Sequence, residues 1–321
     1  MSLSVIVLAA GKGTRMKSPL PKVLHLLAGE PLIIHVLETV FPLKPAQIAV
    51  VIGYKKERVK EILSSYAVEI AVQAEQLGTG HAVAITEQIF SNFEGDVLVL
   101  CGDTPLLRLD TIVSLVELHQ RNNAVATVLT ADFPEPRGYG RIVRDEMGML
   151  AAIVEEKDAS PAEKNIREIN SGTYIFKKDF LFEALKQVKN DNAQGEYYLT
   201  DVIKIARTKG LPVAALKTND FEDVLGVNSQ FELARAEAIF QRRLREKFMA
   251  NGVSFIFPDH VYIERQVKIA PGVVIYPFVS LRGKTFIEAE AIIESHCDLK
   301  DVRVLPGTRV KSGTILENAI I

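Results

Sequence analysis

The first apolar segment of the chain leads straight into a glycine turn and reads Ser4-Val5-Ile6-Val7-Leu8-Ala9-Ala10-Gly11-Lys12-Gly13-Thr14-Arg15-Met16. Its aliphatic half, Ser4–Ala10, shows no polar alternation and predicts a strand that is buried on both faces of a sheet. The two glycines let the backbone fold tightly and present N–H groups to a phosphate. The turn lacks the third glycine of the dinucleotide fingerprint and the Gly-Lys-Ser/Thr of a P-loop. On spacing alone, a phosphate site and a plain strand-to-loop connection both remain open.

Apolar runs alternate with amphipathic segments from this strand to about residue 228. The patterns predict strands at Ser4–Ala10, Ile48–Ile52, Val68–Val72, Val97–Cys101 and Ala124–Thr130. They predict helices at Pro31–Val40, Glu57–Tyr66, Thr79–Phe90 and Asp110–Gln120. Such alternation indicates an α/β fold with a mostly parallel sheet covered by helices. Ligands bind outside the carboxyl ends of the strands in these sheets, so the loops after Ala10 and Cys101 are the first candidates for a binding site.

Residues 229–252 read as a single linker helix. Ser229 and Glu232 form a capping box, and Asn251-Gly252 provides a stop. The apolar stripe of this helix is predicted from its spacing as Phe231, Ala234, Ala238, Leu244 and Phe248. The arginines between these positions, Arg242, Arg243 and Arg245, are predicted to be solvated.

Residues 253–321 repeat with a period of six. Aliphatic side chains recur at Ile263, Ile269, Ile275, Leu281, Ile287, Ile293, Leu299 and Leu305. This period is typical of a β-helix, in which each such residue points into a narrow prism and stacks on its neighbours. The repeat reaches Ile321 with no capping segment, and an uncapped solenoid exposes an apolar end. We therefore expect the chain to be part of a longer protein or to be capped by a partner.

The composition of the chain limits which binding partners and which cellular compartment we expect. The 321 residues carry 38 Lys and Arg against 40 Asp and Glu, a formal net charge of −2. The chain therefore has no overall basic footprint for nucleic acid. Two cysteines cannot build a disulfide framework, which favours a reducing compartment. The early apolar run is too short to span a bilayer. We expect a cytoplasmic protein with no membrane and no nucleic-acid partner.

A stiff loop follows the glycine turn and ends on a lysine, in the order Pro19-Leu20-Pro21-Lys22. Prolines restrict the loop, and a lysine held near a glycine turn suits a developing phosphate charge. An ordinary surface lysine is the alternative.

Several motifs in this order resemble the sugar-nucleotide pyrophosphorylases, a family of nucleotidyltransferases. The glycine turn and Pro21-Lys22-Val23-Leu24-His25 carry the first part of the resemblance. Gln73–Ala82 resembles the uracil-contacting segment of the bacterial members that join UTP to N-acetylglucosamine 1-phosphate. Other segments resemble the sugar-binding landmarks of those members, namely Gly138–Ile142, Glu155–Asp158, Asn170–Gly172 and Gly195–Asp201. The repeat is similar to the left-handed β-helix that follows their catalytic domain.

The resemblance implies a Rossmann-like transferase domain at 1–228, a linker helix at 229–252 and a left-handed β-helix at 253–321. It assigns the nucleotide to Leu8, Ala9, Ala10, Gly11, Gln73, Gly78, Thr79, Cys101, Gly102 and Asp103. It assigns the UTP phosphates and catalysis to Arg15 and Lys22, and Mg²⁺ to Asp103 and Asn228. It assigns the sugar to Gly140, Glu155, Asn170 and Asn228. Read without the family, Asp103 has an alternative role as a turn cap at a strand end, and Asn228 has one as the approach to the cap at Ser229.

The implied activity is Mg²⁺-dependent uridylyl transfer from UTP to N-acetylglucosamine 1-phosphate, for cell-wall and lipopolysaccharide precursors. One alternative keeps the fold and changes the acceptor to glucose 1-phosphate, with UTP or dTTP as donor. Another alternative is a scaffold that binds sugar nucleotides without turnover. The β-helices of this family pack as trimers, so the resemblance also implies a homotrimer. The family's acetyltransferase site lies in later coils of the β-helix, and we expect no such activity from these residues.

Overall fold

A computed structural model describes residues 2–321, which divide into two compact units. The first unit runs up to Leu24 and resumes at Leu32–Ser229. The second unit consists of His25–Pro31 and Gln230–Ile321. The chain thus contributes a short early segment to the second unit, returns to the first unit, and enters the second unit again at Gln230.

A nine-stranded mixed sheet forms the centre of the first unit. With strands numbered along the chain, and β2 and β3 lying in the second unit, it contains β1 Leu3–Ala9, β4 Ile48–Ile52, β5 Glu69–Val72, β6 Asp96–Cys101, β7 Ala126–Asp132, β8 Arg141–Arg144, β9 Leu150–Val154, β10 Glu168–Lys177 and β11 Val213–Thr218. The order across the sheet is β11-β7-β10-β6-β1-β4-β5, and β8 joins β10 to β9. All strands run in one direction except β9 and β10.

Helices cover this sheet as the alternating pattern predicts. They are α1 Leu32–Val40, α2 Lys56–Leu63, α3 Thr79–Ala84, α4 Leu109–Arg121, α5 Lys178–Leu185 and α6 Asp201–Thr208. Short 3₁₀ turns lie at Thr14–Met16, Lys22–Leu24, Phe41–Leu43, Glu163–Asn165 and Phe221–Val224. The predicted α/β class is confirmed. The uniformly apolar β1 has Val5, Ile6 and Val7 fully buried, because it lies between β4 and β6 with both faces covered.

Two predicted helices are too long. The helix predicted at Glu57–Tyr66 ends at Leu63. The pattern predicted Thr79–Phe90, but α3 ends at Ala84 and the chain continues in tight turns. Thr86 donates its hydroxyl to the Val83 carbonyl oxygen at 2.7 Å, and its backbone N–H also bonds Val83. A threonine hydroxyl that bonds a nearby carbonyl competes with the helical pattern, and apolar spacing alone does not reveal this competition.

The second unit is built from a hairpin, one long helix and a stack of short strands. The hairpin pairs β2 Leu26–Leu27 with β3 Glu30–Pro31, and α7 spans Gln230–Ala250. Ala28 at the hairpin turn is almost fully buried and donates its N–H to Glu237 of α7 at 2.8 Å. Its carbonyl oxygen accepts the N–H of Arg265 at 2.9 Å. The hairpin is therefore held on both sides by later parts of its own unit.

The stacked strands form three parallel sheets, the arrangement of a left-handed β-helix. They are β12 Ser254–Phe255, β13 Val261–Ile263, β14 Lys268–Ile269, β15 Val274–Ile275, β16 Val279–Arg282, β17 Phe286–Ile287, β18 Ile292–Ile293, β19 Asp298–Lys300, β20 Arg303–Val304, β21 Arg309–Val310 and β22 Ile315–Glu317. Ile263, Leu281 and Leu299 lie in register on successive coils and are fully buried. The hexapeptide prediction is confirmed for these coils.

The period of six breaks once, at the last predicted position. β14 pairs Lys268 with Phe286, eighteen residues on, whereas β17 pairs Phe286 with Arg303, only seventeen residues on. One coil is therefore a residue short, and Val304 points inward, fully buried, while Leu305 is 40% exposed. The prediction that Leu305 fills the prism is wrong, because a strict period cannot register a shortened turn.

The predicted stripe of α7 is correct at Phe248 and wrong toward the start of the helix. The buried residues of α7 are Ala236, Ile239, Gln241, Arg245 and Phe248. Phe231, the first residue of the predicted stripe, is 79% exposed, and Ala234 and Ala238 are exposed too. Arg245, expected to be solvated, is buried and donates to the Val261 carbonyl oxygen at 3.1 Å and to Asp259 at 2.9 Å. Charge alone placed Arg245 outside, but a guanidinium supplied with acceptors is tolerated inside. Within residues 2–321, no helix is both long and apolar enough to cross a membrane.

The shortened coil gives a direct test of the β-helix register. Val304→Ala should lower the free energy of unfolding by about 1.5–3 kcal/mol, because a fully buried valine loses its packing. Leu305→Ala is the matched control and should change it by roughly 0.5 kcal/mol or less, as surface substitutions do. Urea unfolding of the whole chain, followed by circular dichroism, measures both. A larger loss for Leu305→Ala than for Val304→Ala would contradict the register.

Candidate functional site

The glycine turn after β1 packs directly on the loop that carries Lys22. Gly13 has φ 63°, in the left-handed region, and a Cβ added there would lie 2.6 Å from the Cβ of Lys22. Any side chain at this position would meet both backbone strain and a collision. Gly11 has no neighbour within 4 Å of where its Cβ would be, so its backbone faces open space. The turn thus offers an open edge on one side and fixes Lys22 on the other.

Lys22 lies between two oxygen-bearing side chains at the carboxyl end of the sheet. Its ammonium contacts the Asp103 carboxylate just after β6, and it donates to the Asn228 side-chain oxygen at 2.9 Å. The Val227 N–H bonds the Asp103 carbonyl oxygen at 2.8 Å, which ties the two segments together. The structure therefore brings together three residues that sequence analysis assigned to phosphate and metal.

This arrangement fits a hard divalent cation. Asp103 and Asn228 direct two oxygens at one point, where the positive charge of the Lys22 ammonium now lies. Hard cations such as Mg²⁺ prefer oxygen ligands and keep water and phosphate in the rest of their shell. No group of three or more His, Cys, Asp or Glu side chains in residues 2–321 could enclose a metal. A site of two protein oxygens, completed by a bound nucleotide, agrees with that chemistry.

Arg15 reaches the same corner from the short helix Thr14–Met16. It is exposed, and its terminal nitrogen lies 3.8 Å from where a Cβ on Gly138 would be. Its charge is thus presented to solvent beside the segment that carries the sugar landmarks. Arg15 and Lys22 supply two cations within one open corner of the first unit.

The predicted uridine residues converge at the ends of β1, β4 and β5. Gln73 is buried and donates to the Gly78 carbonyl oxygen at 3.1 Å, and its amide also contacts His81 at 3.1 Å. Gln76 donates to the Ala10 carbonyl oxygen at 3.2 Å, which ties this loop to the end of β1. Leu8 and Ala9 complete β1 next to the turn.

A tight crossing fixes the start of α3. Gly78 has φ 108°, and a Cβ there would lie 2.6 Å from the Tyr197 carbonyl oxygen. Thr79 accepts the N–H of Leu199 at 3.1 Å. The uridine loop and the Gly195–Asp201 segment, predicted to face the sugar, are therefore one packed assembly. Only glycine allows that approach.

The predicted sugar residues also meet. A Cβ on Gly140 would lie 3.4 Å from both the Glu155 carboxylate and the Asn170 Cβ. Asn170 donates its N–H to the Gly140 carbonyl oxygen at 2.9 Å and is buried. The pairing of β10 with β7 shifts between Asn170 and Tyr174, so a bulge re-aims this part of the strand.

Glu155 is a poorly solvated carboxylate. Burial raises its pKa above the ordinary value, and neighbouring Asp158, Asp201 and Glu196 add to the shift, while a hydrogen bond from Thr200 opposes it. The Thr200 hydroxyl donates to Glu155 at 3.4 Å. A cavity of about 480 Å³ is lined by this carboxylate together with Tyr198 and Asp201.

Cys101, the last residue of β6, and Gly102 directly precede Asp103. Burial, with Asp103 nearby, raises the pKa of the Cys101 thiol to about 12. The thiol is therefore protonated at neutral pH and cannot act as a nucleophile. Gly102 donates its N–H to the Leu8 carbonyl oxygen at 2.9 Å, which holds the ends of β1 and β6 together.

The structure adds residues that the sequence did not single out. A Cβ added at Gly53 would lie only 2.9 Å from the Ala10 carbonyl oxygen. The absence of a side chain at Gly53 therefore lets the end of β4 pack against the glycine turn. Arg141, almost fully buried, pairs with Glu156 at 2.7 Å and thereby holds the residue next to Glu155. An ion pair between a residue of β8 and a residue that follows β9 leaves no signature in the spacing of the sequence. Tyr139 lay inside a motif that sequence analysis noted, but no role was assigned to it.

Comparisons with known proteins agree with this geometry. The profile of the family described as nucleotidyl transferase matches residues 4–238. The whole chain is 46% identical to the bifunctional protein GlmU of Streptococcus gordonii and 47% identical to that of Exiguobacterium sibiricum, over 320 residues in each case. These matches cover 70% and 71% of the two relatives. The GlmU of Enterococcus faecalis is 45% identical over 98% of this chain and 69% of its own. The resemblance drawn from the motifs is confirmed: the chain belongs to the nucleotidyl transferase family and, within it, to the bifunctional GlmU proteins.

Proposed function

We propose that residues 1–228 transfer a uridylyl group from UTP to N-acetylglucosamine 1-phosphate, giving UDP-N-acetylglucosamine and pyrophosphate. Membership of the GlmU proteins supports this reaction, and the nucleotidyl transferase profile supports its class. The chain is thus a nucleotidyltransferase of cell-wall precursor synthesis. The observation that carries the proposal is the contact of the Lys22 ammonium with both Asp103 and Asn228, beside an open glycine turn.

Members of this family need a divalent cation, and we assign Mg²⁺ to Asp103 and Asn228. Bound there, Mg²⁺ would supply positive charge to the phosphates of both substrates. The open backbone at Gly11 gives a triphosphate room to approach, because nothing lies within 4 Å of its Cβ position. Nucleotide binding by Leu8 to Gly11, Gln73, Gly78, Thr79 and Cys101 to Asp103 belongs to the same proposal.

The residues act on this reaction by placing and neutralising charge. A phosphate oxygen of the sugar phosphate attacks the α-phosphorus of UTP, and pyrophosphate leaves. This nucleophile is already an anion, so the site needs no general base, in agreement with the protonated thiol of Cys101. Arg15 and Lys22 offset the charge that builds up on the transferring group, and the rigid loops hold both reactants in place.

The sugar would be recognised by Gly140, Glu155, Asn170 and Asn228. Glu155 and Asn170 both line the space over Gly140, within 3.4 Å of its Cβ position. A carboxylate accepts hydrogen bonds from sugar hydroxyls, and an amide both donates and accepts. Asn228 belongs to both the metal and the sugar assignments, so it joins the two halves of the site.

A homotrimer through the β-helix is part of the proposal. Two aromatic side chains of the second unit, Phe257 and Phe278, are 67% and 53% exposed. Exposed aromatic side chains of this size favour burial against another protein surface.

Pyrophosphate release across a panel of substrates tests the proposed reaction. UTP with N-acetylglucosamine 1-phosphate should give the highest kcat/KM, and chelating divalent cations should abolish turnover. Equal or faster turnover with glucose 1-phosphate, from UTP or dTTP, would show a different acceptor. Tight binding of UDP-N-acetylglucosamine without any pyrophosphate release would show a non-catalytic scaffold.

Removing either cation of the phosphate corner should slow the chemistry. Arg15→Ala and Lys22→Ala should each lower kcat by about 10²–10³-fold, the usual loss for a group that stabilises transition-state charge. Lys17→Ala is the matched control, because Lys17 is an exposed cation directly after the same short helix. It should keep wild-type kcat. Wild-type turnover in both Arg15→Ala and Lys22→Ala would remove the phosphate assignment.

The raised pKa of Glu155 predicts a pH dependence for sugar binding. At neutral pH the ionised carboxylate should give wild type a KM for the sugar phosphate roughly tenfold below that of Glu155→Gln. As pH falls toward its raised pKa, Glu155 takes up a proton earlier than an ordinary glutamate, and this advantage should shrink. The phosphate of the substrate titrates equally for both enzymes, so the KM ratio isolates Glu155. A ratio that stays constant between about pH 5 and pH 8 would exclude a direct role for this carboxylate.

A further inference from the structure

We propose that Tyr139 is a positioning residue that couples the sugar-binding segment Gly138–Ile142 to the metal-binding loop Gly226–Asn228 through the hydrogen bond between its hydroxyl and the Gly226 N–H. This inference rests on the proposed function, because it assigns a task to a residue outside the proposed substrate and metal contacts. Tyr139 holds two parts of the site at a fixed separation, and its hydroxyl carries that coupling.

The position of Tyr139 in the chain places it between two assigned contacts. Its preceding neighbour, Gly138, lies beside the Arg15 guanidinium. Its following neighbour, Gly140, lies against Glu155 and Asn170. A shift of this backbone would therefore be felt at the phosphate cation and at the sugar pocket together.

The side chain of Tyr139 points to a different loop. Its hydroxyl accepts the N–H of Gly226 at 3.1 Å. Gly226 is buried and lies two residues before Asn228, whose side-chain nitrogen is 3.4 Å from the Gly226 Cβ position. The next residue, Val227, donates to the Asp103 carbonyl oxygen. The hydroxyl thus holds the segment that carries the second proposed metal ligand.

The ring of Tyr139 is fixed by aromatic packing. Its centroid is 4.8 Å from that of the buried Phe133, which lies directly after β7. Phe133 in turn packs edge-on against Phe221 at 5.3 Å, in the short helix that leads into the metal-binding loop. Phe221, before the loop, and Gly226, within it, are therefore both held by the same aromatic cluster. The Tyr139 hydroxyl consequently has little freedom to follow a displaced Gly226.

The buried backbone N–H of Gly226 needs the hydrogen bond to the Tyr139 hydroxyl. A buried backbone N–H without an acceptor is costly, and native proteins nearly always satisfy such groups. Loss of the hydroxyl leaves Gly226 to find another acceptor, which requires the loop to move. Because Asn228 is two residues away, its oxygen would move with the loop, and the sugar and metal sites would no longer be held together.

Tyr139→Phe tests this hydrogen bond, because it keeps the ring and removes only the hydroxyl. In the full chain we expect faster hydrogen exchange at Gly226 and Val227, measured without metal or substrate. We also expect rises of roughly five- to tenfold in the Mg²⁺ concentration for half-maximal turnover and in the KM for the sugar phosphate, the size of one net hydrogen bond. The KM for UTP at saturating Mg²⁺ should stay within about twofold of wild type, because the Tyr139 hydroxyl bonds Gly226, which lies outside the uridine loop.

Tyr66→Phe is the matched control. Tyr66 also stacks on a phenylalanine, Phe41, at 6.0 Å, and it precedes β5, so it lies at the opposite edge of the sheet. Tyr66→Phe should leave the exchange at Gly226, both KM values and the Mg²⁺ requirement unchanged.

The outcomes separate this inference from the proposed function. Unchanged exchange at Gly226, or an unchanged Mg²⁺ requirement and sugar KM, would overturn the role of Tyr139 while wild-type turnover still supports uridylyl transfer. A fall in melting temperature and kcat with both constants unchanged would show a purely structural role and would also overturn it. Absence of turnover in the wild-type chain would instead count against the proposed function, and the exchange experiment would still decide whether the hydrogen bond holds the loop.

Discussion

The contact of one ammonium with two oxygens joins parts of the chain that are 81 and 206 residues away from it. Lys22 meets Asp103 and Asn228 where parallel strands end, and each of these groups would be poorly compensated alone. The side chains of Lys22 and Asp103 are only 16% and 15% exposed, so their charges stabilise one another in a region with little water. The close packing at Gly13, which fixes the Lys22 loop, and the Val227 hydrogen bond, which fixes the Asn228 loop, both serve this arrangement.

The local sequence pattern was sufficient to predict an element wherever all of its residues lie in the same environment. The strand Ile48–Ile52 was placed correctly from its apolar run, because all five residues are buried and no turn interrupts them. Pattern was insufficient where one atom decides the outcome. The Thr86 hydroxyl ended α3, a turn one residue short moved Val304 into the place predicted for Leu305, and two acceptors drew Arg245 inside. The contacts of Thr86 and Arg245 leave the periodicity of the sequence unchanged, and the shortened turn shifts it by one residue.

The candidate site shows the same division. The family resemblance named Gly140, Glu155 and Asn170, and the structure places them together. The resemblance did not predict how these three residues are held in place, because the contacts that hold them join distant segments of the chain. Arg141 reaches Glu156 across the hairpin of β8 and β9, and Gly53 lets β4 end against the glycine turn. Pairings of this kind depend on register and on the exact course of loops, which spacing along the chain does not encode.

The hairpin at Leu26–Pro31 has a consequence for how the molecule assembles. Ala28 and its partner Glu237 are separated by 209 residues, yet they belong to one compact unit. During synthesis the hairpin leaves the ribosome long before α7 exists, so the second unit cannot mature until the first is essentially complete. A protein cut before Gln230 would lose both partners of Ala28, the Glu237 carboxylate and the Arg265 N–H. The order in which the two units are completed is therefore set by topology.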